Sequence, residues 1–182
     1  MNWHPNVTEF LAVQNFDQII NFYEQEIENN PDEINNYLYL GLAYFLSYKV
    51  NIAEEIWLET LLDINNIEEN VIKLLTILRQ EALNQLQKDQ WQMALHIYRK
   101  IDELLSNQEQ ILPEYGLDYY NYGVILEKKG DKQTAFYAYQ KAIKINPLII
   151  DAYNNLGKIY FDNNQIEEAE LNYRKAIEIN QK

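Results

Sequence analysis

Small and apolar residues recur along the chain at spacings of three and four, and short polar turns interrupt them. Near the C-terminus, Tyr153, Leu156, Gly157 and Tyr160 lie three, one and three residues apart, which sets them on one face of a helix. Asp162-Asn163-Asn164 breaks the pattern, and Asn is suited to the left-handed turn conformation. A second helix follows, with Ala169, Tyr173 and Ala176 on one face. The same arrangement stands 34 residues earlier: Tyr119, Tyr122, Gly123, Leu126, the turn Lys129-Gly130-Asp131, then Ala135, Tyr139 and Ala142. A fixed period of this size marks a stacked-repeat protein. Gly123, Gly157, Ala135 and Ala169 are small enough to let two antiparallel helices approach closely, with Tyr and Leu filling the space on either side. Pro147 ends the second helix of the earlier copy.

The order of Tyr153, Leu156-Gly157, Tyr160, Ala169, Tyr173 and Ala176 resembles the tetratricopeptide repeat. Gln181 stands where that family usually has Pro, and the earlier copy departs at Tyr122 and Leu126, both apolar. The resemblance implies an all-α fold, a right-handed superhelical solenoid of antiparallel helix pairs.

The rest of the chain fits the same frame as one solenoid domain over residues 1–182. Residues 1–33 form a partial opening repeat. Its helix Phe16–Asn29 carries Ile19, Ile20, Tyr23 and Ile27, and a short helix near Thr8–Val13 has Thr8 as its N-cap. Residues 34–67 are a full repeat: Tyr37, Leu40, Gly41 and Tyr44 in the first helix, Ala53, Trp57 and Thr60 in the second. Residues 68–115 are degenerate. Two frames compete there, seven residues apart, nearly two helical turns. One long helix from about Glu69 to Gln87 accommodates both. A second excess of seven lies between Ser106 and Tyr115, expected as a helix extension that breaks at Leu112-Pro113. Residues 116–149 and 150–182 are the two regular repeats. The last helix also carries Leu171, Ile177 and Ile179. Solenoids usually end on a polar capping helix, so either the chain is a fragment of a longer protein, the favoured expectation, or this helix pairs with another copy.

Composition narrows the function classes. The 182 residues carry a net charge of −13, which disfavours nucleic acid and anionic membrane surfaces. No apolar run is long enough to span a membrane. With no Cys there is no disulfide framework and no thiolate chemistry; a cytoplasmic location is expected. The charge is one-sided: residues 1–70 hold thirteen acids and one base, Lys49, whereas residues 71–182 are nearly balanced. This asymmetry fits either an interaction surface for a basic partner or a solvated face.

Catalysis is not expected. The two histidines, His4 and His96, lack further ligands at helical spacing, so no metal site is expected. His96 falls off the main apolar positions and reads as exposed. The five Gly are scattered rather than gathered in a phosphate loop, so no cofactor is expected. Glu54-Glu55 and Glu167-Glu168 read as outer-face charges rather than an acid/base pair.

The resemblance implies a concave groove lined by the first helix of each repeat. Its positions fall on Asn35, Leu38, Tyr39, Leu42 and Phe45; on Leu117, Tyr120, Asn121, Val124 and Glu127; and on Asp151, Asn154, Asn155, Lys158 and Phe161. In the degenerate repeat, Thr76, Arg79 and Gln80 face the groove in both frames. Asn121 and Asn155 hold the position that contacts a peptide backbone in many family members, and an amide can donate and accept at once. Leu38 and Leu42 stand where the family's carboxylate clamp would place Lys and Asn, so no clamp of that kind is expected. The leading expectation is a non-catalytic protein–protein interaction scaffold that holds a peptide or helix. One alternative is a substrate-recruiting region of a larger glycosyltransferase or methyltransferase, because the order of repeats is loosely similar to the front end of bacterial proteins of that kind. Another is a structural module that self-associates through its uncapped C-terminal helix.

Overall fold

The computed structural model describes residues 3–61, 66–106 and 112–181. These residues form helices and turns, with no strand among them. In chain order the helices are α1 (Thr8–Ala12), α2 (Phe16–Asn29), α3 (Ile34–Leu46), α4 (Val50–Leu61), α5 (Ile67–Gln87), α6 (Trp91–Ser106), α7 (Gly116–Lys129), α8 (Lys132–Ile145), α9 (Ile150–Asp162) and α10 (Ile166–Asn180). Short 3₁₀ turns, Pro5–Val7 and Pro113–Tyr115, precede α1 and α7. The fold is therefore all-α and built from antiparallel helix pairs.

The repeat frame is written in the backbone. Among the described residues, five have left-handed φ values: Gln14 at 54°, Tyr48 at 62°, Asp89 at 56°, Gly130 at 88° and Asn164 at 61°. Each sits in the turn between two helices, and successive ones are 34, 41, 41 and 34 residues apart. The two longer intervals are the 34-residue period plus seven. The first excess lengthens α5, which spans 21 residues. The second precedes α7, and the expected extension over residues 107–111 lies outside the described residues. Asn164 and Gly130 stand where turn residues were expected, and Asp89 suits the same conformation, whereas Tyr48 takes it with a less suitable side chain.

The chain divides after Lys88 into two compact units. The boundary falls inside the degenerate repeat, between α5 and α6, and each unit has buried apolar residues of its own. In the first unit Ile19, Tyr23, Leu38, Leu42, Phe45, Trp57, Leu74 and Leu78 are buried. Trp57 explains its own position: it rests on Phe45 at 5.5 Å between ring centroids, and its Nε1 donates to the Leu38 carbonyl at 3.1 Å. In the second unit Tyr98, Tyr119, Tyr139, Leu126, Leu156, Ala135 and Ala169 are buried. Tyr139 fills the space over Gly123 and Tyr173 that over Gly157. Only Ala169 and Ala176 of α10 are buried, and Leu171 and Ile177 are exposed.

Two local expectations are corrected. Thr8 does not cap α1; its hydroxyl donates to the Pro5 carbonyl at 2.8 Å, and Val7 holds the cap position. His96 is half-buried rather than exposed, because it shares a face of α6 with buried Lys100, one turn further on. That burial, then the nearby Arg99 charge, pushes its pKa below the ordinary 6.5.

Candidate binding faces

The first-helix positions behave differently in the two units. In the first, Leu38 and Leu42 are 0% exposed, Phe45 is 1% and Tyr39 is 6%. These four were expected to line the groove, and they are core residues instead. Phe45 is covered by Trp57. Tyr39 stacks on Tyr23 at 5.7 Å, and the Trp3 ring packs against both, 5.1 Å from Tyr39 and 6.1 Å from Tyr23. Leu42 opens only onto a cleft of about 210 Å³ lined by Trp3, Thr8, Leu11, Tyr39, Ile77, Gln80, Glu81 and Asn84. The N-terminal segment thus lies across the face that the repeat pattern assigns to a ligand. On α5, Thr76 and Gln80 are exposed and Arg79 is half-buried.

Burial sets the tyrosine chemistry here. It pushes the Tyr23 hydroxyl up to about 12, partly offset by the bond that Tyr23 accepts from the His4 amide at 3.1 Å. Burial likewise raises Tyr39. Beneath them, Glu81 is 4% exposed and accepts bonds from Trp3 Nε1 at 2.9 Å, Gln85 Nε2 at 2.6 Å and Asn84 Nδ2 at 3.2 Å. Neither Trp3 nor Glu81 was singled out from the sequence. The available signal was polar residues on an apolar stripe: Glu81 and Gln85 continue the line of Leu74 and Leu78 along α5.

In the second unit the corresponding face is open. Leu117 and Phe161 are exposed by 53% and 60%, with Asp151, Asn154 and Lys158 also exposed. Tyr120, Asn121, Val124 and Asn155 are half-buried between them. A polar network spans α7, α8 and α9. Glu127 accepts from Tyr139 Oη at 3.0 Å and from Lys158 Nζ at 2.7 Å. Asn155 lies near the hydroxyls of both Tyr120 and Tyr139 and partly offsets the rise that burial gives them. Asn121 donates to Tyr98 Oη at 3.3 Å. The Asn121 amide is therefore held by a tyrosine hydroxyl. Such a face can offer apolar flanks and fixed polar groups to an extended chain. Among the described residues no group of three His, Asp or Glu side chains is placed to hold a metal ion. No helix there is long and apolar enough to cross a membrane.

Two family models match the C-terminal part of the chain: a tetratricopeptide repeat over residues 150–182 and a TPR repeat over residues 123–163. The chain is 34% identical over 70 residues to the UDP-N-acetylglucosamine–peptide N-acetylglucosaminyltransferase of Giardia intestinalis, covering 38% of this chain and 5% of that protein. It is 25% identical over 175 residues to the Hsp70-Hsp90 organising protein of Plasmodium falciparum, covering 94% of this chain and 28% of that protein. The chain thus spans less than a third of either relative. Among solved structures, a MamA mutant aligns with a TM-score of 0.52 and 22% identity, covering 81% of this chain and 97% of that one. That likeness supports the helical-repeat fold.

Proposed function

We propose that this chain, which carries tetratricopeptide repeats over residues 123–182, is a protein–protein interaction scaffold whose second unit holds an extended peptide. The observation that carries this is the open first-helix face of α7 and α9. Leu117 and Phe161 are bare apolar anchors, and Asn121, Asn154, Asn155 and Lys158 lie between them, Asn121 and Asn155 at equivalent repeat positions. A peptide backbone can bond to the amides while its side chains rest on the apolar flanks. The scaffold itself is non-catalytic. Residues 1–88 hold fourteen acids and four bases, so a basic partner would be drawn to the chain faster at low ionic strength.

Affinity capture from the native host tests this. Phe161→Ser combined with Asn154→Ala alters exposed positions only and is expected to lose the partners that the wild type captures. Tyr137→Ser, in the separate cleft lined by Phe136 and Gln133, is expected to keep them. Equal capture by all three proteins would remove the α7–α9 face from consideration.

A second reading is favoured by α10. Its Ile166, Leu171 and Ile177 are all more than half exposed, which suits contact with another helix. Light scattering across a range of concentrations tests it; a mass that stays monomeric throughout counts against it.

A further inference from the structure

Residues 3–12 cover the α3 face in the first unit, and their contacts have the form of a ligand in a site. The Trp3 ring packs against Tyr39 at 5.1 Å and Tyr23 at 6.1 Å. Its indole N–H reaches the Glu81 carboxylate at 2.9 Å. Glu81 is 4% exposed, and a buried carboxylate is costly unless its oxygens are met by donors. Two of the donors, Asn84 and Gln85, come from α5 itself; the third is the indole. The site therefore suits a flat aromatic ring with a donor at its edge, which tryptophan supplies here through its indole N–H.

The segment is built for release. α1 is five residues long and buries no side chain, far below the length at which a helix persists alone. Val7 is its one fully buried apolar residue. The link to α2 runs through Val13, 72% exposed, and Gln14, whose φ is 54°. Apart from residues 3–12, Ile19, Leu38, Trp57 and Leu74 form a core among α2–α5. The segment has no Lys or Arg and a single acid, Glu9. Within the acidic residues 1–88, stacking and hydrogen bonding hold it in place.

We propose that the Tyr23–Tyr39–Glu81 site is a docking site for the indole of a tryptophan, and that residues 3–12 are an internal ligand closing it until a Trp-bearing apolar segment of a partner displaces them. This rests on the reading of the chain as an interaction scaffold, but it concerns a different face from α7–α9.

The probe is a fluorescein-labelled peptide with the sequence of residues 1–13, titrated into the full chain and followed by anisotropy. The Trp3→Ala chain is expected to bind it at least about tenfold more tightly than the wild type does, because the competing internal ligand is lost. The same peptide with Ala in place of Trp is expected not to bind. Adding Glu81→Gln to the Trp3→Ala chain is expected to weaken binding by about tenfold or more, since the bond to a charged acceptor goes. Equal affinity for wild type and Trp3→Ala, or no binding to Trp3→Ala with its helical signal intact, overturns the proposal. If Trp3→Ala fails to fold, hydrogen exchange on the wild type decides. Amides of residues 3–12 exchanging far faster than those of α2 support an opening segment; equal protection overturns it. The partner-capture comparison at α7–α9 does not involve Trp3, so failure of one reading is distinguishable from failure of the other.

Discussion

Three glycines separate two reasons for having no side chain. At Gly123 an added Cβ would lie 2.6 Å from Tyr139 Cε1, and Tyr139 is fully buried and tied to Glu127. It cannot yield, so Gly123→Ala is expected to cost about 1–3 kcal/mol through overpacking. At Gly157 the neighbour is Tyr173 Cε1 at 2.8 Å, but Tyr173 is 38% exposed and can swing outward. Gly157→Ala is expected to cost distinctly less. Gly130 has nothing within 4 Å of an added Cβ, yet its φ is 88°; there Gly130→Ala is expected to cost about 1–2 kcal/mol through backbone strain alone. Urea unfolding of the three variants measures the order, and a Gly157 variant as damaged as the Gly123 one would show that the exposed ring is not what yields.

At the scale of helices, the α8 N-terminus offers a pH-dependent test. Asp131 accepts from the Thr134 amide at 3.1 Å, and the bonds from Thr134 hold its carboxyl below the ordinary 3.8. A lowered folded value means that the cap's contribution is present above the ordinary carboxylate range and is lost as pH falls through the lowered value. Asp131→Ala is expected to melt earlier than the wild type at neutral pH, with the difference closing in acid. Thermal melts at both pH values check this, and a gap that persists in acid would mean the carboxylate charge is not responsible. Helix positions were the most legible feature of the sequence. The 3.6-residue periodicity marked Phe16–Asn29 to the residue, and two frames seven apart foretold the long α5, because both are local. What could not be read was what covers a face. Leu38, Leu42 and Phe45 hold first-helix positions, but Trp57, Ile77 and the N-terminal segment decide their exposure. Trp3 and Glu81 are 78 residues apart, and no periodicity links them. In the second unit Leu117, Asn154, Lys158 and Phe161 remain open, so the positions carried over from the repeat pattern stay available there.

At the scale of the whole chain, tyrosine does much of the packing that Leu and Ile do in other cores. Of fifteen tyrosines, Tyr23, Tyr39, Tyr98, Tyr115, Tyr119, Tyr122 and Tyr139 are buried. A buried hydroxyl needs a partner, and several find acids: Tyr119 donates to Asp102 at 2.7 Å and Tyr139 to Glu127 at 3.0 Å. This makes the fold sensitive to alkali. Burial, reinforced by those acids, raises Tyr119 and Tyr139, and burial raises Tyr23 from 10.0 to about 12. A raised folded value means that stability is fully present below the unfolded value and is lost as pH climbs through the folded one. The unfolded chain ionises its tyrosines near 10.0 while the folded chain resists, so unfolding becomes steadily more favourable above that point. Tyrosinate absorbance from the buried residues is therefore expected to rise together with the loss of helical circular dichroism, in one step between about 10 and 12. Full tyrosinate absorbance with the helical signal still intact would mean that these hydroxyls are open to solvent and that the tyrosine–acid pairs do not hold the helices together.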